Sequence, residues 1–109
     1  MIQRDTPRVP EYMVSAAIRA LSSVPEPIYA VVSGALRRED EALCIWIDEQ
    51  DNSVLRVSTD VLSEDVAAAL DNGRKLAQEA VTLLAIAADV EEVVAETEDD
   101  EQQYAIWRP

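Results

Sequence analysis

Between residues 62 and 94, apolar or small residues return in alternating steps of four and three: Leu62, Val66, Ala69, Gly73, Leu76, Ala80, Leu83, Ala87, Val90 and Val94. This seven-residue repeat constrains the chain more than any other feature, because such positions fall on one stripe only in a helix. Large residues hold one set of positions (Leu62, Leu76, Leu83, Val90) and small ones the other (Gly73, Ala80, Ala87), which would let a neighbouring helix come close. Ser63 suits an N-cap, with Glu64 and Asp65 in the first turn. Unbroken to residue 97, that helix would be about 50 Å long, against a radius of gyration of about 13 Å for a domain of this size. Either it breaks at Asp71-Asn72-Gly73, a C-cap and turn sequence, or its stripe pairs with a second copy of the chain. The break is the expectation adopted, leaving a central core helix over residues 74–96. A homodimer through the 62–94 stripe is compatible with both readings.

The first half of the chain reads as a helix followed by strands. Residues 10–23 combine Pro10, Glu11 and the helical spacing Met13, Ala17, Ala20, Val24, which predicts a helix ended by Pro25-Glu26-Pro27. Residues 28–36 fit either element, and their β-branched and aromatic content with Gly34 in mid-run favours a buried strand. Strands at 43–47 and 54–58, separated by the turn formers of 48–53, form an antiparallel hairpin. In the first of these Leu43, Ile45 and Ile47 alternate with Cys44 and Trp46, so both faces are apolar and Trp46 needs a core or a partner. The fold class expected is α+β: an N-terminal helix, about three antiparallel strands and a long C-terminal helix, with a possible last strand beside the hairpin. All 109 residues belong to one domain, with a flexible stretch at 1–9 and an acidic linker or helix end at 97–103.

Charge is uneven. Residues 1–59 carry nine acids and six bases, a net charge of −3, whereas residues 60–109 carry thirteen acids and three bases, a net charge of −10. Such a field repels nucleic-acid backbone and anionic lipid and favours basic proteins as partners. No apolar run is long enough to span a membrane, and the start is polar, so neither a membrane span nor a signal peptide is expected. The single cysteine, Cys44, lies in an apolar run and reads as a buried thiol in a cytoplasmic protein.

The residue inventory argues against catalysis. Histidine is absent, which removes the usual general base and zinc ligand, and two glycines are too few for a phosphate-cradling loop. The paired acids lie in strongly polar surroundings, where they read as solvated charge rather than as catalytic carboxylates. No enzyme activity, cofactor or metal is expected. The candidate partner-binding residues are the aromatics Trp46, Tyr104 and Trp107 and the acids Glu91, Glu92, Asp99 and Asp100. In outline the plan resembles the acidic secretion chaperones, which dimerise and hold a partner segment, and the profile is similar to immunity proteins and phage-encoded inhibitors; no residue motif carries the likeness. The function expected is stoichiometric binding of a basic protein, as inhibitor, immunity protein or chaperone-like adaptor. The alternatives are a homo-oligomer built on the heptad stripe, or a nucleic-acid mimic whose acidic run occupies a DNA- or RNA-binding protein.

Overall fold

The segment expected to be the N-terminal helix holds the central strand of a sheet. In the computed structural model, which describes residues 10–97 and 104–109, the order is β1 (Glu11–Ala20), α1 (Glu26–Glu39), β2 (Cys44–Ile47), β3 (Val54–Leu62), α2 (Val66–Leu84), β4 (Ala88–Thr97) and β5 (Tyr104–Trp107). The strands form one antiparallel sheet in the order β2-β3-β1-β4-β5. Up to Thr97 this is a double split β-α-β plan: β3 lies between β1 and β2, and β1 lies between β3 and β4. The last strand, β5, extends the sheet beyond β4.

The α+β class, the hairpin and the C-terminal strand are as expected, but several elements are not. Residues 10–23 are not helical. Tyr12, Val14, Ala16, Ile18 and Ala20 obey a period of two, and all five are buried. Pairing on both sides, to β3 and β4, overrides the helical preference of the alanines. Residues 28–36 lie in α1 instead of a strand. Pro25 is its N-cap and Pro27 lies in the first turn, so the prolines start this helix rather than merely ending a previous one. Val32 and Leu36, four apart, are its buried residues, while Val31 is exposed, as a one-sided helix requires.

The second helix runs through Asp71-Asn72-Gly73 without a break. Its N-cap is Asp65, whose carboxylate accepts from Ala68 N–H, rather than Ser63. It stops at Ala85 in the left-handed region, φ 55°, so residues 88–97 belong to β4 and the expected core helix over 74–96 is cut short. The heptad stripe is therefore divided among three elements, with Leu62 in β3 and Val90 and Val94 in β4, so residues 62–94 do not form one continuous helical seam, and the small residues of its α2 part are buried. The small residues do permit close approach, but to the sheet. Ala69, Gly73, Ala77 and Ala80 are buried, and a Cβ on Gly73 would meet Val93 Cγ1 at 2.8 Å and Val14 Cβ at 3.3 Å.

Both helices cover the same face of the sheet. The main core joins Val32 and Leu36 of α1, Ala80 and Leu84 of α2, and Ile18, Ile45, Leu55 and Val57 of the strands. Buried and half-buried polar groups have partners: Tyr29 donates to the Ile45 carbonyl at 2.8 Å, the buried Thr59 hydroxyl donates to Asp40 at the end of α1, and Asn72 donates to the buried Ser63 hydroxyl. Residues 1–9 and 98–103, which include the expected flexible start and most of the acidic linker, lie outside the described residues.

Candidate functional site

Register decides which side chains reach the face that the helices leave open. Residues directly opposite on neighbouring strands share a face. The buried row Ile45, Val57, Ala16, Val93 points to the helices, so the next row, Trp46, Arg56, Ala17, Glu92, points away from them. Two further rows follow along the strands: Cys44, Ser58, Ser15, Val94, Ile106, and then Asp60, Met13, Glu96, Tyr104. Small residues lie along the middle of this face, and large apolar or aromatic ones occur at both edges. Trp46 on β2 is 41% exposed, and Tyr104 and Ile106 on β5 are 57% and 40% exposed.

The end of the face nearer the β2–β3 turn is crossed by three arginines, each held by carboxylates. Arg19 bonds Asp51 at 2.9 Å and Glu91 at 3.1 Å, Arg56 bonds Asp48 at 2.6 Å, and Arg108 bonds Glu92 at 2.6 Å. Glu91 reaches Arg19 because the register between β1 and β4 shifts between Ala17 and Ile18, leaving Glu91 as the extra residue of a bulge. Hydrogen bonds from Ser53 and Arg19 hold Asp51 down at about 2, and that from Arg56 lowers Asp48. Ala17, Arg56, Glu91, Glu92 and Arg108 line a hollow of 380 Å³ among these pairs.

The other end has no arginine or lysine in its rows. Asp60 and Glu96 flank Met13 in one row, and among the described residues neither carboxylate has an ion-pair partner. Val94, Ile106 and Tyr104 adjoin them, and Leu62 is exposed beyond Asp60 on the same strand and face. Among the described residues, one face thus holds an end whose carboxylates are paired with arginines and an end where Asp60 and Glu96 have no ion-pair partner and lie beside apolar surface.

Three of the residues singled out by the sequence come together on this face: Trp46, Tyr104 and Glu92. Glu91 joins them through the bulge. Trp107 does not, because it pairs with Val93 and turns to the helix side, packing against the cluster of Ala16, Ala77, Val90 and Val93 with the Arg74 guanidinium 4.5 Å from its ring centroid. Asp99 and Asp100 lie outside the described residues. Cys44 is exposed on the edge strand, not buried, because the alternation that buries Leu43 and Ile45 turns its thiol outward. The last strand lies against β4 rather than beside the hairpin. Sequence reasoning did not single out Met13, Asp60, Val94 or Glu96 as binding residues. Period-two alternation in 11–20 was the signal for Met13, but only pairing register places these four beside Ile106.

The helix side has its own hollow of 370 Å³, lined by Asp71, Arg74, Lys75, Gln78, Val90 and Trp107. Its cations are already engaged, Arg74 with Trp107 and Lys75 with Asp71 at 3.3 Å. Among the described residues no group of three acids or cysteines is placed to hold a metal ion, and no helix is long and apolar enough to cross a membrane. Comparison with protein-family models, with characterised proteins and with solved structures finds no match for this chain.

Proposed function

We propose that this protein acts by stoichiometric association with another protein, and that it binds through the open face of its sheet. One observation supports this above the others: Trp46, Ile106 and Tyr104 stay 40–57% exposed on a face that also carries Asp60 and Glu96, which have no ion-pair partner among the described residues. Aromatic and aliphatic anchors amid polar groups make a binding surface, since the anchors slow dissociation while charge steers encounter and selects the partner. A net charge of −13 favours a basic partner. Inhibitors, immunity proteins and chaperone-like adaptors all act in this way, without catalysis, and a cytoplasmic setting suits a chain with one unpaired thiol.

The test is a pull-down from lysate of the source organism at low and moderate salt, with the native chain beside Trp46→Ala and Ile106→Glu. The proposal expects one stoichiometric protein that survives moderate salt and is lost from both variants while they remain folded. Retention of the same protein by both variants would refute binding through this face.

A further inference from the structure

Resting on that reading, we propose that the occupant of the open face is an amphipathic helix of a basic partner, lying along β1 with lysine or arginine on both flanks of its apolar stripe. The open face offers small and apolar residues between two edge strands with exposed aromatic or aliphatic groups. Met13, Ser15, Ala17 and Ser58 lie on its central strands, with Trp46 on one edge strand and Ile106 and Tyr104 on the other. Asp60 on β3 and Glu96 on β4 lie on opposite sides of Met13 on β1. Two strand spacings separate them by about 10 Å, which matches the width of an α-helix with its side chains, about 10–12 Å.

Backbone chemistry selects a helix over an extended segment. A lone strand laid on a sheet face would leave its own N–H and C=O groups without partners, whereas a helix satisfies them internally. The opposite face of this sheet is covered in that way, by α1 and α2. Met13 beneath the helix, with Val94 and Ile106 to one side, would meet its apolar stripe, and long basic side chains on its two flanks would reach Asp60 and Glu96. A second copy of this chain fits poorly. Among the described residues of this face a second copy offers Asp60 and Glu96 no unengaged cation, since Arg19, Arg56 and Arg108 are already paired with carboxylates. The end bearing Arg19, Arg56 and Arg108 is less selective for charge, because its carboxylates are already paired.

The experiment titrates the protein with a fluorescent synthetic peptide of about 18 residues, with leucine at helical spacing and lysine on both flanks of the stripe. Two controls accompany it: the same peptide with glutamate for lysine, and one of the same composition with the periodicity scrambled. Binding is read by anisotropy and mapped by backbone amide shifts. The lysine peptide is expected to shift the amides of Met13, Ser15, Val94 and Ile106, and to bind at least about tenfold more tightly than either control. Asp60→Lys with Glu96→Lys should weaken it by about tenfold or more, whereas Glu39→Lys with Glu79→Lys, the same charge change on the helix side, should cost no more than about threefold. Should the first pair fail to fold, Asp60→Asn with Glu96→Gln replaces it, with a smaller loss in the same direction. Equal weakening by the two pairs would overturn the inference, as would equal binding of the scrambled peptide. So would a native chain that sediments at twice 12.0 kDa until Val94→Lys dissociates it. Binding mapped to this face but indifferent to Asp60 and Glu96 rejects the helix-flank inference and leaves the binding reading intact; shifts confined to the helix side defeat both.

Discussion

The two faces of the sheet are built from alternate residues of the same strands, yet they obey different rules. On the helix side, Val14, Ala16, Ile18, Leu55, Val57, Val93 and Ala95 are buried against small residues of α2, and Gly73 sets how close the helix comes. On the open side small residues, arginine–carboxylate pairs, acids without an ion-pair partner among the described residues and exposed aromatics share one surface. The first face is specified by volume, so single changes there act on folding. The second is specified by charge and by which apolar groups stay in water, so changes there should act on association. Neighbours in sequence can therefore belong to different parts of the protein's work.

That division can be broken by single substitutions. The largest effect is expected at Ile18, fully buried beneath both helices: Ile18→Ala should lower unfolding free energy by about 2–5 kcal/mol in denaturant titration. A loss under about 1 kcal/mol would mean that the helix side is not the close-packed face described. Next comes Gly73→Ala. Its new methyl would sit 2.8 Å from Val93 Cγ1, and after the gain in helix propensity the net loss should be about 1–2 kcal/mol. Trp46→Ala on the open face should cost less than about 1 kcal/mol, and partner binding is where its effect should appear.

Acidity sharpens the comparison with a smaller effect. Asp51, held at about 2 on the open face, contributes stability that is full above the ordinary carboxylate range and is lost as pH falls toward 2. Glu79 on the helix side has the opposite sign: its hydrogen bond with Glu39 raises it, so its contribution is present below its ordinary value and lost as pH rises. Stability measured by thermal unfolding should therefore improve between pH 7 and about 4.5 and decline below about 3.5. Glu79→Gln should flatten the improvement, with a gain at pH 7 of under about 0.5 kcal/mol for so exposed a pair. A profile that falls steadily from pH 7 would contradict this assignment of signs.

How much of this was legible in the sequence depended on whether local or distant partners decided the outcome. The hairpin of β2 and β3 and the apolar end of the chain were readable, because turn residues and alternation are local signals. Strand β1 was not, since Met13, Ala17 and Ala20 satisfy helical spacing while Tyr12, Val14, Ala16 and Ile18 satisfy the strand period, and only flanking strands settle the matter. Strand β4 hid behind a heptad that ran on by coincidence from α2, and the bulge at Glu91 broke the alternation that would have exposed it. Trp46 and Glu92 were readable as candidates from residue type alone. That Trp107 faces the helices while Ile106 faces open solvent follows from register, which no composition or charge run reveals.

The most direct test of the central claim uses Val93 and Val94, adjacent in β4 and on opposite faces. Each is replaced by lysine, and folding by circular dichroism and capture of the partner are measured side by side. The account predicts that Val93→Lys, placing a charge in a fully buried site, abolishes cooperative folding, whereas Val94→Lys folds nearly as the native chain does and captures no partner. A folded Val94→Lys that still captured its partner at native yield would contradict it.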